Sequence, residues 1–342
     1  MKDRFFCCSG SLNYTPIQTN QPVRYYSYKQ NSTALGEINK DGKNLIQTSK
    51  NYTLDPMWIT GFFDGEGCFY VNISMKSSNK KYYVSPHIYL GLHSKDITIL
   101  ELLINNLKVG RINYKHGPNS VQLDVGSLHE IEILTAFFDK YPFLTKKKSD
   151  FLLFKKTINL IKMKKHLTES GLEEIVALKA SMNLGLSQKL KVAFFNVAPA
   201  NKPIVKVPND LNPFWLAGFT SAEGSYMIKI QKSQTTRLGF SVDLAFHITQ
   251  GDEKLLMCVK NFFNCGNVYR KGNIFDFVVT KFDDIINKII PFFNKYSIIG
   301  VKSKDFNDFS QAAELINHKK HLTELGLNQI REIKAGMNKK RK

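Results

Sequence analysis

The chain has 342 residues, 43% of them hydrophobic, a share typical of proteins that bury a core and not of disordered chains. Its 48 Lys and Arg against 29 Asp and Glu leave a net charge of +19, which points to a polyanionic partner, nucleic acid ahead of an anionic membrane surface. No apolar run approaches the roughly 18 residues needed to span a bilayer, and five cysteines without a C-x-x-C pair (Cys7, Cys8, Cys68, Cys258, Cys265) argue against a disulfide framework or a zinc site.

In chain order, residues 1–50 are polar and Gly- and Asn-rich, and are expected to be a disordered leader; Asp3, Glu37 and Asp41 and the lack of an apolar h-region fit an import presequence poorly. A helix is predicted across Trp58-Ile-Thr-Gly-Phe-Phe-Asp-Gly-Glu-Gly67, with Trp58 and Phe62 facing the core. Residues 68–76 then alternate, Phe69, Val71, Ile73 and Met75 apolar against Tyr70, Asn72, Ser74 and Lys76, the mark of a strand with one wet face. A second strand falls over 87–93, a hairpin over 109–115 and 120–126, and helices near 95–107, 128–140, 146–164 and 172–183. Residues 187–211 carry Pro199, Pro203 and Pro208 and read as an extended linker between halves at 51–186 and 212–342.

The second half repeats the first. Residues 319–338 (KKHLTELGLNQIREIKAGMN) match 164–183 (KKHLTESGLEEIVALKASMN) at thirteen of twenty positions, and Trp215-Leu-Ala-Gly-Phe-Thr-Ser-Ala-Glu-Gly224 answers the helix at 58–67. Gly110 answers Gly266, Lys140-Tyr141 answers Lys295-Tyr296, and Lys147 answers Lys302. Strands over 225–232, 238–250, 266–271 and 274–281 complete an α+β chain of two pseudo-symmetric αββαββα halves with antiparallel sheets. His166 and His321 recur in the KKHLT turns and read as capping or packing residues.

Gly61 and Gly65, and Gly218 and Ala222, stand four apart on the duplicated helices, which lets two helices pack backbone to backbone about a pseudo-twofold axis. Each helix ends on an acid, Glu66 or Glu223, followed by a glycine suited to C′. A carboxylate at the negative end of the helix dipole costs roughly 0.3–1 kcal/mol, and two such carboxylates facing each other repel. Divalent cations between them remove both penalties; an all-oxygen donor set favours a hard ion, Mg2+. Beside a basic surface this suggests metal-assisted phosphodiester hydrolysis.

These residues resemble the signature of the LAGLIDADG homing endonucleases in their single-chain, two-repeat form. The HLTE·GL and K··MN tails, KYPFLTKK, WLAGFTSAEG and FVVTKF resemble more narrowly the fungal mitochondrial intron-encoded subfamily. The resemblance, over roughly 52–340, implies paired saddle-shaped sheets on double-stranded DNA and metal held by Glu66 and Glu223 with the backbone carbonyls of Gly65 and Ala222. It implies pocket roles for Lys147, Lys302 and Gln250, the place of Gln250 being taken by Leu92 in the first half. It further implies Mg2+ dependence with Mn2+ substituting and Ca2+ supporting binding without cleavage, a monomer without a membrane role, and a mitochondrial location. The polar strand positions are the expected base contacts, since a β-ribbon fits the major groove. They are Tyr70, Asn72, Ser74, Lys76, Arg111, Asn113, Lys115, Ser120, Gln122 and Asp124 in the first half, and Lys229, Gln231, Ser233, Asn267, Tyr269, Lys271 and Asp276 in the second. Two rival readings are a maturase binding its own group I intron RNA and a non-catalytic DNA-binding regulator.

Overall fold

The computed structural model describes residues 52–75, 81–114, 117, 119–206 and 210–338. Lys76, Lys115 and the leader over 1–50 lie outside these. The first half runs α1 (Pro56–Glu66), β1 (Gly67–Met75), β2 (Tyr82–His93), α2 (Ile97–Leu107), β3 (Arg111–Asn113), β4 (Ser120–Val125), α3 (Leu128–Lys140), α4 (Lys147–Lys162) and α5 (Glu169–Ala180). After α6 (Gln188–Ala193), the second half runs α7 (Pro213–Glu223), β5 (Gly224–Lys232), β6 (Phe240–Gln250), α8 (Glu253–Phe263), β7 (Asn267–Lys271) and β8 (Ile274–Val279). A short α9 (Phe282–Asp284) passes through a π turn over Ile285–Ile289 into α10 (Ile290–Lys295), followed by α11 (Val301–Asn317) and α12 (Glu324–Ala335).

Both sheets are antiparallel, with strand orders β1-β2-β4-β3 and β5-β6-β8-β7. The alternation is realised: Phe69, Val71 and Ile73 are buried while Tyr70, Asn72 and Ser74 are half-buried on the opposite face. The inner faces pack on aromatic clusters. Phe69 sits among Phe138, Phe143, Phe151 and Phe154, and its counterpart Tyr226 among Phe246, Phe293, Phe306 and Phe309.

The two motif helices start alike. Asp55 accepts the Met57 N–H ahead of Pro56, and Asn212 accepts the Phe214 and Trp215 N–H groups ahead of Pro213, a polar N-cap followed by proline at N1. Their ends depart from the sequence expectation. Gly67 and Gly224 are not left-handed C′ residues but extended, at φ −71°, so the helix turns straight into the strand. Glycine is required there by space: a Cβ would fall 2.7 Å from the Phe63 carbonyl oxygen at Gly67 and 2.4 Å from Thr220 Cγ2 at Gly224.

The segment after the first repeat is not wholly extended, because Gln188–Ala193 form a helical turn that buries Leu190. Its later part lies on the first half through Ala200 N–H to the Ala177 carbonyl and Ser149 Oγ to the Pro203 carbonyl. The repeated tails have a structural explanation. Thr168 and Thr323 cap α5 and α12, and Asn183 and Asn338, both at positive φ, donate side-chain N–H to the Phe69 and Tyr226 carbonyls. His166 and His321 do not cap; each buries an Nδ1 without a hydrogen-bond partner.

Candidate active site and nucleic-acid interface

The halves meet along α1 and α7. A Cβ at Gly61 would lie 2.0 Å from the Trp215 carbonyl oxygen, and one at Gly218 would lie 2.0 Å from the Trp58 carbonyl oxygen, so the two glycines are related by the expected pseudo-twofold axis. One turn on, a Cβ at Gly65 would meet that of Ala222 at 2.2 Å. Gly61 faces 215–219 and Gly65 faces Ala222, so the helices run parallel and bring their C-termini together. Side chains reinforce the seam. Trp215 Nε1 donates to Asp64 Oδ2 at 2.8 Å, and Trp58 Nε1 to the Ser297 carbonyl at 3.3 Å, each tryptophan crossing into the opposite half.

Glu66 and Glu223 therefore end side by side; the Cβ position of Gly65 is 3.4 Å from Glu223 Cγ. Lys147, near the start of α4, donates its ammonium to the carbonyls of Phe63 at 2.9 Å, Gly65 at 3.2 Å and Gly67. Lys302, near the start of α11, does the same for Thr220 at 3.4 Å and Ala222 at 2.7 Å. These carbonyls belong to the ends of α1 and α7, where the dipole is negative and backbone acceptors lack intrahelical partners. Burial pushes the Lys147 pKa down, while the charges of Asp64, Cys68, Glu66 and Glu223 hold its proton on. One ammonium thus lies within electrostatic reach of both glutamates.

Gln250 is the last residue of β6, where its Oε1 accepts the N–H of Gly251 at 2.8 Å. Pairing of Gly67 with Leu90 and of Gly224 with Ile248 puts Leu92 at the corresponding place in the first half. The end of β6 lies against the start of α4 across the seam, for Lys146 Nζ is 3.5 Å from the Gly251 carbonyl and 3.8 Å from Asp252.

Sequence reasoning assigned no role to Asp64, although it stands inside the motif. It is 2% exposed and accepts from Leu144 N at 2.8 Å, from Thr145 N and Oγ1, and from Trp215. It so fixes the loop leading into α4 and Lys147; burial raises its pKa against these donors. Ser221 replaces it in the second half and accepts the Ile299 N–H at 3.2 Å.

The strand pairing places the expected contact residues in two sets. Tyr70, Asn72 and Ser74 stand opposite His87, Ser85 and Tyr83 on one face, continued by Ser120, Gln122, Arg111 and Asn113. Lys229, Gln231, Asn267, Tyr269 and Lys271 share the second face, with Ser233 just past β5. One assignment is corrected. Asp124 faces the right way but its side chain is 1% exposed, and its carboxylate is taken up by His87 Nδ1 at 3.0 Å, Asn113 Nδ2 at 3.2 Å and Arg111 at 3.4 Å. It holds His87, Arg111 and Asn113 together on this face and is not itself presented to solvent. Asp276 is similarly engaged, by His247 Nδ1 at 3.1 Å and Thr249 Oγ1 at 2.8 Å. Tyr70 lies beneath the Lys179 ammonium at 4.6 Å from its ring centre.

A duplicated α+β unit whose two acid-tipped helices pack in parallel beneath polar sheet faces defines a pseudo-dimeric protein with a shared centre. The family model described as LAGLIDADG endonuclease matches residues 59–158 and again 216–313, and the chain belongs to that family. Its members depend on divalent metal. A relative from Neurospora crassa, "Probable intron-encoded endonuclease 3", is 35% identical over 88% of this chain; the match spans 58% of that relative's length. The crystal structure of the I-SmaMI LAGLIDADG homing endonuclease bound to cleaved DNA is similar at 40% identity and TM-score 0.81, over 86% of this chain and all of that one. The same enzyme bound to uncleaved DNA target with calcium ions aligns at TM-score 0.81 and 40% identity over 84% of this chain and all of that one.

Proposed function

We propose that this chain is a site-specific double-strand DNA endonuclease of organelle origin, acting in mitochondria to promote homing of its host intron. The observation that carries the reading is the meeting of Glu66 and Glu223 at the parallel helix ends, with Lys147 and Lys302 each seated on its own motif helix. The donors fit a hard divalent cation: two carboxylates and the carbonyls of Gly65 and Ala222, each carbonyl with a lone pair beyond the one its lysine occupies. Among the described residues no group of three or more His, Cys, Asp or Glu surrounds a common point. Water and DNA phosphate oxygens would therefore complete the shell, which makes cation binding depend on DNA. Mg2+ is the expected ion, with Mn2+ substituting and Ca2+ supporting binding alone; bound there, it supplies Lewis-acid stabilisation and a more acidic water.

The remaining work falls to the chain. The two sheet faces, end to end, cover about two turns of duplex, near 20 base pairs. Because they differ in sequence, the site they read is asymmetric. Lys147 and Lys302 balance the charge of the carboxylates and of the phosphate between them. Gln250 has Leu92 in its place in the first half, so the two strands are cut in chemically unequal surroundings. Intact carboxylates at the seam favour cleavage over a role confined to intron RNA or to regulation.

The test is selection of cleaved duplexes from a random library in Mg2+ and again in Ca2+, followed by Glu66→Gln and Glu223→Gln on the selected site. Cleavage in Mg2+ only, and its loss with binding retained in either variant, supports the assignment. Full cutting by both variants overturns it.

A further inference from the structure

The two lysine-bearing helices are anchored in different ways. At the start of α4, Thr145 Oγ1 accepts the Lys147 N–H at 3.1 Å and itself donates to the buried Asp64, so the group that takes the Lys147 N–H comes from the first half, although Asp64 is held in turn by Trp215 of the second. The residue in the place of Thr145 at the start of α11 is Gly300, which has no side chain to do this. A carboxylate from the other half takes over. Asp96, in the turn that follows β2, accepts the Val301 N–H on Oδ1 at 2.7 Å. Gly300 is shaped to admit it: φ is +85°, and a Cβ there would strike Asp96 Oδ1 at 2.5 Å and Ile99 Cδ1 at 2.5 Å. Val301 opens α11, so its N–H has no partner within the helix and depends on this acceptor. Lys302 follows directly and lies within electrostatic reach of the same carboxylate.

The opposite contact is not equivalent. Asp252, in the turn after β6, uses a carboxylate oxygen to cap its own helix α8 at Lys254 N, and among the described residues its ion pair with the first half is to the exposed Lys146 ammonium at 3.8 Å.

We propose that Asp96 is a positioning residue for Lys302, reaching across the seam from the first half to set the catalytic pocket of the second. The inference rests on the endonuclease reading for its consequence and on Val301 alone for its structure. Cleavage at the Lys302 pocket then requires the first half to be docked in register, whereas the N–H that opens α4 at Lys147 is taken by Thr145 of its own half.

The experiment uses the full chain and its selected duplex with each strand labelled separately; Lys302→Met identifies the strand that depends on Lys302. Asp96→Ala is expected to slow nicking of that strand by about tenfold or more, up to the roughly hundredfold loss that a 1 Å misplacement can bring, with the other strand changed less than twofold. Asp96→Asn, whose amide oxygen still accepts the Val301 N–H, is expected to restore the rate to within twofold. Equal slowing of both strands, no slowing, or an Asn variant as slow as the Ala variant would overturn the proposal. Exchange of the Val301 amide is followed in parallel without DNA. Protection lost in Asp96→Ala and kept in Asp96→Asn supports the anchor, and protection unchanged in Asp96→Ala overturns it. A wild-type chain that cuts no duplex refutes the endonuclease reading, while the exchange result still decides the anchor.

Discussion

Gly61→Ala places a methyl carbon 2.0 Å from the Trp215 carbonyl oxygen and 2.9 Å from the Phe219 nitrogen. Carbon contacts settle near 3.5–4.0 Å, so α1 and α7 must part by more than about 1 Å. Both obstructing atoms are backbone of a buried helix and cannot swing aside. In a helix interior the exchange by itself favours Ala by about 1 kcal/mol. Against this stand overpacking, about 1–3 kcal/mol and here at its upper end, and loss of a quarter to a half of each cross-seam dispersion contact. The net expectation is about 3 kcal/mol of destabilisation, or a fall in Tm of about 4–5 °C at the roughly 2.1 cal/mol/K per residue typical of unfolding. Gly91→Ala is the control, because a Cβ there meets nothing within 4 Å; its stability should stay within about 0.5 kcal/mol of wild type. Urea and thermal unfolding of both variants measure the difference. A Gly61→Ala protein as stable as Gly91→Ala would refute the close-packed seam, and with it the proximity of Glu66 to Glu223.

Asp64→Ala strands four donors, the Leu144 and Thr145 N–H groups, the Thr145 hydroxyl and the Trp215 indole, and should cost about 3 kcal/mol or more; Ser221→Ala strands one and should cost about 1 kcal/mol in the same unfolding assay. Asp124→Asn should leave affinity for the selected duplex within a fewfold while relaxing selectivity at the base pairs that Arg111 and Asn113 are proposed to read, as measured by competition among single-substituted duplexes. Burial lowers the pKa of His321 from its usual 6.5, so the unfolded chain binds the proton more tightly. The stability this ring contributes is present above about pH 6.5 and is lost as the pH falls through that value toward the native pKa. Urea midpoints from pH 8 to pH 5 should fall more steeply for wild type than for His321→Gln.

The duplication made the fold readable, because each half supplied an independent copy of every local signal. Alternation over 68–76 placed β1 and its wet face, and an acid before glycine placed the ends of α1 and α7. Spacing of small residues foretold the seam, since the steric demand at Gly61 and Gly218 is local to one helix face. What escaped was set by partners distant in sequence. Asp64 owes its part to Thr145 and to Trp215 of the other half, and Asp96 to Val301, more than two hundred residues away. Asp124 shows the limit of periodicity. It fixes which face a side chain takes, but burial followed from the neighbours that β2 and β3 bring to that face, His87, Arg111 and Asn113. Extended glycines at 67 and 224 were misread as left-handed caps because the space they clear is visible only once Phe63 and Thr220 are placed.

The central claim is that Glu66 and Glu223 share divalent cations at the joined ends of α1 and α7. Anomalous diffraction from crystals of the protein with its selected duplex, grown with Mn2+, measures this directly. Density at about 2.2 Å from the carboxylates of both glutamates, beside the carbonyls of Gly65 and Ala222, is the predicted result. Mn2+ seated elsewhere while the duplex occupies the sheets, or carboxylates turned from the phosphates, would contradict it.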